Sequence, residues 1–394
     1  MRHLCWSGVS VAAGLVLLAA APQGQVPVAT VTVRNPIDFA RPHETVVLDG
    51  ARLKSALGAD DLRKVHVRDE RTGQEVLAQA IDVDDDGVFD EVAFQADLEP
   101  GQGRRFALAL GSRQVHTRDQ FKAYGRFVRE RRDDFAWEND VTAHRMYGAA
   151  LETWAQEPLT SSAVDVWFKR TTRLVINDWY MVDDYHRDHG EGADLYSAGK
   201  SRGCGGSGVW ANNRLFPSAN FRDSRVLANG PLRVMFELTY AAWDAGGQSV
   251  SEVKRVTLDA GEHLSRFESR YTTTPGRALQ HAAGIKRHPQ GSVAFSREGG
   301  VLRTWEPVKD NGSFGCAVIV DPAGLVDTPE ADGNALVVVR AGQDGRAIHY
   351  AGAAWDRAGQ VRDATEWDHY LQEAARRLRA PVEVSIAAGG SEVR

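Results

Sequence analysis

Cysteine is scarce in this chain, with three residues in 394 at positions 5, 204 and 316. No CxxC pair occurs, which excludes a thiolate metal site and a dithiol redox motif. Lys/Arg blocks are also missing. The 47 basic and 53 acidic side chains are well mixed and leave a net charge of −6, which argues against a nucleic-acid partner. There is no GxSxG elbow, no phosphate-binding P-loop, no dinucleotide fingerprint and no HExxH zinc motif. Beyond the first 25 residues no apolar run approaches the roughly 20 residues a membrane helix needs, and there are no repeats or low-complexity tracts.

The chain does open with an export signal. Arg2 and His3 form a basic start, Val9–Ala21 is an apolar run, and small residues precede the turn Pro22-Gln23-Gly24. Residues 1–25 are therefore expected to be a signal peptide, and the mature protein to be secreted or periplasmic with no membrane span. Cys5 leaves with that segment. Cys204 and Cys316 remain, and the sequence leaves open whether they pair or stay as two buried thiols.

Short alternating runs such as Thr30–Val33, Thr45–Leu48 and Val65–Arg68, broken by Gly, Asp and Pro, read as antiparallel strands of a small β-sandwich over residues 26–112. A polar linker around Gly111–Lys122 leads to a longer strand-rich region, residues 120–394. There Leu232–Tyr240, Val250–Leu258 and Leu264–Tyr271 form a meander of long strands. One helix is expected near the end, with Trp367, Tyr370, Leu371, Ala374, Ala375 and Leu378 on one stripe. Asp363 or Thr365 caps its start and Pro381 stops it.

Three constellations can carry chemistry. The densest runs from Trp179 to Trp210, without strand or helix periodicity, and mixes aromatics, glycines and every type of proton carrier. Within it His186 and Tyr185 are candidate bases, Arg202 a candidate for neutralising a carboxylate, Tyr196 a candidate acid, and Glu191 one carboxylate of a candidate hydrolytic pair. His189, Lys200 and Trp210 are candidate substrate contacts. A divalent metal on His186, His189 and Glu191 is the second reading of the same loop. The next constellation is Trp137, Glu138, Arg145 and Tyr147. Trp137 offers a flat face to a sugar ring, Arg145 a two-pronged grip on a carboxylate and Tyr147 a candidate acid. The third is Asp82, Asp84, Asp86 and Asp90 around Gly87, which resembles a structural calcium loop except that Ala93 stands where an EF-hand has its closing glutamate.

The stretches WENDVTAHRMYG at 137–148, YHRDHGEGADLYSAGKSRGCGGSGVW at 185–210, GPLRVMFELTY at 230–240 and AGAAWD at 351–356 resemble a bacterial family known as domain of unknown function 4861. The resemblance covers nearly the whole mature chain. It implies a mainly β protein, in which the small sandwich is followed by a large galactose-mutarotase-like antiparallel supersandwich. It also implies an association with degradation of acidic polysaccharides. The resulting expectation is an exported protein acting on oligo- or polysaccharides that contain uronic acids, by lyase-like β-elimination. Hydrolysis by Glu138 and Glu191, sugar epimerisation and carbohydrate binding without catalysis are the alternatives.

Overall fold

The computed structural model describes residues 29–388 apart from residues 157, 183 and 274–277. The expected signal peptide lies outside the described residues.

The alternating runs of the first domain form two antiparallel sheets. One has the order Glu383–Ala388, Ala29–Arg34, Gly103–Leu110, Val65–Asp69, Glu75–Val76, and the other Arg41–Asp49, Glu91–Leu98, Ala78–Ile81. Every second side chain points between them, so Val31, Val67, Phe94 and Leu108 share one core. One expected boundary needs correction. The last strand, Glu383–Ala388, falls by sequence in the region 120–394, but it pairs antiparallel with Ala29–Arg34. An unpaired edge on Ala29–Arg34 would expose a row of amide groups, and the returning chain covers it.

The larger region is a supersandwich of two antiparallel layers. One layer is an eight-stranded sheet, in spatial order Asp223–Asn229, Arg233–Asp244, Ser249–Asp259, Leu264–Thr273, Arg346–Trp355, Ser313–Ile319, Val301–Pro307, Ser292–Ser296. Facing it are a five-stranded sheet, residues 123–193, and a six-stranded sheet built around Cys204–Ala211, Gln280–Lys286 and Asn334–Arg340. A parallel bridge between Val164 and Gly203 joins these two edge to edge. The core between the layers is aromatic. Phe135 stacks on Phe236 at 4.0 Å, and Trp137 lies 5.2 Å from the same ring.

The helix Ala364–Arg379 forms where its periodicity places it. Asp363 Oδ1 accepts from the amides of Thr365 and Glu366, and Trp367, Leu371, Ala374 and Ala375 are buried against Leu264, Ala317 and Ile319 of the eight-stranded sheet. Among the described residues no helix is long and apolar enough to cross a membrane.

Candidate functional site

The site follows from strand alternation in the five-stranded sheet. In Asp134–Asn139, Phe135 and Trp137 face the eight-stranded sheet, so Asp134, Ala136 and Glu138 face the other way. Register then sets Arg145 of the strand Thr142–Met146 opposite Asp165 of Val164–Lys169 and next to Ala136. This outer face is not solvated. The short helix Ile176–Met181 and the loop after it lay Trp179, Tyr180 and Tyr185 over Trp167, so the charged groups beneath are sealed.

Arg145, only 4% exposed, is the centre of this cluster. Its guanidinium reaches Asp165 Oδ2 at 2.8 Å, Asp194 Oδ2 at 2.9 Å and Asp134 Oδ2 at 3.5 Å. Tyr147 donates to Asp165 at 2.9 Å and Tyr180 to Asp134 at 3.1 Å. The Tyr185 hydroxyl accepts from Arg131 at 2.9 Å and from Arg145 at 3.4 Å. Three buried carboxylates around one fully buried cation cannot all ionise cheaply. Burial pushes the Asp134 carboxyl up to about 7, partly countered by Arg145. Burial and the neighbouring Asp165 also raise Asp194 far above the carboxylate range. Among the described residues, Oδ1 of Asp134 has no hydrogen-bond partner. The cluster therefore retains an exchangeable proton near neutral pH.

His186 is where this cluster meets solvent. Its side chain is 62% exposed, its ring packs 4.5 Å from that of Tyr185, and Nδ1 lies 3.2 Å from the Asp194 carbonyl and 3.5 Å from Asp194 Oδ2. A carbonyl can only accept, so Nδ1 carries the hydrogen and Nε2 is the basic nitrogen. Exposed imidazole backed by a buried carboxyl is an arrangement suited to proton transfer.

Several expected roles are ruled out by burial. Trp137 is fully enclosed and donates to Ser265 Oγ at 3.0 Å, so no sugar reaches its face. Trp210 packs with Leu215, Leu336 and Val338. Arg202 is buried among Ser161, Ser162 and the Ser207 carbonyl, where burial pulls its pKa down to about 10, and no substrate carboxylate has access to it. The Glu138 carboxylate is filled by Lys169 Nζ at 2.7 Å and by the amides of Val175 and Ile176, both at 2.8 Å. It anchors the start of the roof helix, and the Glu138–Glu191 hydrolytic pair loses its first member. Tyr147 is equally sealed, and burial beside Asp165 holds its hydroxyl protonated.

The loop residues separate in space. His186 turns to Asp194, His189 bonds Asp184 at 2.9 Å, and Glu191 pairs with Arg173, so the expected His186–His189–Glu191 metal set does not converge. Lys200 is exposed in a turn. The expected loop also ends earlier than Trp210, because Cys204–Ala211 is a buried strand. Its glycines let the layers close up: a Cβ on Gly205 would stand 2.2 Å from that of Ala351. Cys204 and Cys316 are both free and buried. In the acidic turn, ligand oxygens of Asp82, Asp84 and Asp86 lie within 4.8 Å of one another. The fourth expected ligand is diverted, since Asp90 Oδ2 accepts from the Val83 amide at 2.8 Å. Asp82 already serves the amides of Asp85 and Gly87.

Sequence reasoning passed over Asp134, Asp165 and Asp194. Their signal was an aspartate inside a run such as Val164-Asp165-Val166-Trp167-Phe168, a charge where an apolar strand has no use for one.

The WENDVTAHRMYG stretch supplies Arg145, and the YHRDHGEGADLYSAGK stretch supplies His186 and Asp194. The profile of one family matches the chain across residues 33–384, and its description is Domain of unknown function (DUF4861). The chain belongs to this family. A relative from Formosa agariphila, described as Uncharacterized protein P7, is 32% identical over 372 residues, covering 90% of this chain and 93% of its own. Among solved structures, a protein in the glycosyl hydrolase family 38 from Enterococcus faecalis superposes with a TM-score of 0.51 at 11% identity, over 92% of this chain and 47% of that one. An alpha-mannosidase from Enterococcus faecalis V583 gives 0.48 at 11% identity, over 91% and 46%. The family member described here thus spans about half the length of the solved structures it matches, and at this identity the likeness is one of fold.

Proposed function

We propose that this chain is an exported carbohydrate-active enzyme that cleaves uronic-acid-containing saccharides by β-elimination, with His186 as its proton-transfer group. The observation that carries the reading is the exposed His186 imidazole packed on Tyr185 and backed by Asp194, in front of the buried Arg145 cluster. The saccharide part is supported by the sandwich fold shared with a protein described as a glycosyl hydrolase.

Elimination needs a base for the proton α to the uronate carboxylate, an acid for the leaving oxygen and a cation on the carboxylate. Nε2 of His186 takes the proton. The released electron pair forms the ring double bond as the glycosidic C–O bond breaks, and the imidazolium, held at Nδ1 by the Asp194 carbonyl, returns the proton to the departing oxygen. No water is consumed. Tyr147 and Arg202, earlier candidates for the acid and the cation, are too deeply buried to touch a substrate.

Incubation with pectic, algal and arabinogalactan oligosaccharides, read by mass, tests this. Product masses that sum to the substrate's mass, with the ultraviolet band of an unsaturated uronide, support elimination. An added water means hydrolysis, and a bound but intact saccharide means a binding protein. His186→Ala is expected to abolish turnover while leaving the fold intact, and undiminished turnover in that variant sinks the assignment.

A further inference from the structure

The outer face of the eight-stranded sheet gathers cations, although the chain as a whole carries a net charge of −6. On the strand Leu264–Thr273, Ser265 and Phe267 point into the sandwich, so Arg266, Glu268 and Arg270 point away from it. Three guanidinium groups converge on the Glu268 carboxylate: Arg266 at 2.7 Å, Arg270 at 2.9 Å and Arg346, from the neighbouring strand, at 2.9 Å. The Glu268 side chain is only 4% exposed, whereas those of the arginines are 30%, 46% and 45% exposed around it. Burial would raise the Glu268 carboxyl, but hydrogen bonds from Arg346 and Arg266 hold it at about 2. One ionised carboxylate therefore anchors three cations and cancels the charge of one. Asp344, which accepts from the Arg346 amide at 3.1 Å, offsets part of the remainder.

Register makes the cluster more unusual. Arg270 and Arg346 stand directly opposite each other across the two strands. Like charges in that position destabilise a sheet, and an anion lying over both relieves the repulsion. Glu268 is reached by Nη2 of Arg266, Nε of Arg270 and Nη2 of Arg346. The other guanidinium nitrogens of these three have no partner among the described residues. Arg255, opposite Glu268 in the ladder, is turned instead to Glu237 at 2.6 Å. Arg266 also lines a groove of about 420 Å³ between the two domains, walled by Val47 and Val384 of the first and by Leu264, Tyr350 and Leu378 of the second. Small-ligand sites occupy roughly 300–1,000 Å³ and are lined by apolar and aromatic side chains with a few polar groups at the edge. Tyr350 faces Arg266 across the ladder, so an aromatic side chain adjoins the cations.

We infer that Arg266, Arg270 and Arg346 form a second saccharide site, on the face of the sandwich opposite His186, which binds the carboxylate or sulfate of an anionic polysaccharide and seats the adjoining sugar ring against Tyr350 in the groove. The inference goes beyond elimination at His186 and shares with that reading only the class of ligand. Guanidinium groups meet carboxylate and sulfate alike through paired N–H donors, and the shared Glu268 fixes these three before any ligand arrives. Such a site keeps the protein on a polymer without taking part in the reaction.

Calorimetric titration of the full chain tests the site with three probes: an oligogalacturonate, a sulfated galactan oligosaccharide and an unsulfated galactan oligosaccharide. All proteins carry His186→Ala, so that no probe is cleaved and any contact at His186 is common to every comparison. Binding of either acidic probe more tightly than the neutral one, less so as salt rises, supports the site, and the preferred probe identifies its anion. Arg270→Gln with Arg346→Gln is expected to lose at least about tenfold on that probe and nothing on the neutral one, with the paired lysine changes in between. Arg214→Gln with Arg287→Gln, exposed positions of the other layer, changes the net charge equally and is expected to leave affinity unaltered. A urea transition confirms that each variant is folded. Equal loss in both glutamine pairs means attraction by net charge alone and overturns the site. So does unchanged affinity without Arg270 and Arg346, equal binding of acidic and neutral probes, or binding of none. Elimination at His186 is decided separately by product masses, so either reading can fail while the other stands.

Discussion

Replacing Asp134 by asparagine removes a carboxyl that the fold keeps protonated and leaves its shape and its contact with Tyr180 in place. Asp134 is completely buried, and its pKa rises from the ordinary 3.8 to about 7, chiefly through desolvation and against the pull of Arg145 and Arg131. Below pH 3.8 the carboxyl is protonated in both folded and unfolded chains and has no effect on the balance. Between 3.8 and about 7 the unfolded chain gives up this proton and the folded chain keeps it, so wild-type stability falls as pH rises. Above 7 the cost is constant. At roughly 1.4 kcal/mol per pH unit, a displacement of about three units corresponds to ~4 kcal/mol. That is a ceiling, because Asp194 competes for the same proton. The Asp134→Asn variant lacks the cost, so its stability relative to the wild type is expected to climb from pH 4 to pH 7 and then level off. Urea midpoints measured across pH 4–9 for both proteins check this. Parallel profiles would refute the argument that the cluster retains a proton.

Other perturbations reach different parts of the molecule. Lys169→Met leaves Glu138 as a buried carboxylate without its cation and is expected to cost about 3–5 kcal/mol in chemical unfolding, whereas the double change with Glu138→Gln recovers part of that loss. Trp367→Ala removes the fully buried side chain by which the C-terminal helix docks, and about 3–5 kcal/mol of destabilisation should appear in the same assay. Cys204 and Cys316 lie fully enclosed, so Ellman's reagent should reach neither in the native protein and both after denaturation, and prompt native reaction would contradict their burial.

Local pattern and chemistry determined a good deal without any structure. Period-two alternation, turn residues and a capped helical stripe specify antiparallel strands and the helix Ala364–Arg379, because each depends on residues close in the chain. The same reading drew attention to Tyr185, His186 and Arg145 by residue type alone. Tertiary structure decided which of the marked side chains meet solvent. Trp137, Glu138 and Arg202 are as suitable chemically as His186, yet two stacked layers and a roof helix seal them, and burial depends on chain segments far apart in sequence. Long-range pairing also returned the last strand to the first domain and gathered Asp134, Asp165 and Asp194, up to 60 positions apart, around one guanidinium. Alternation says that an aspartate lies on a given face of its strand. Only the register with neighbouring strands says which cation it will face and whether water can reach them both.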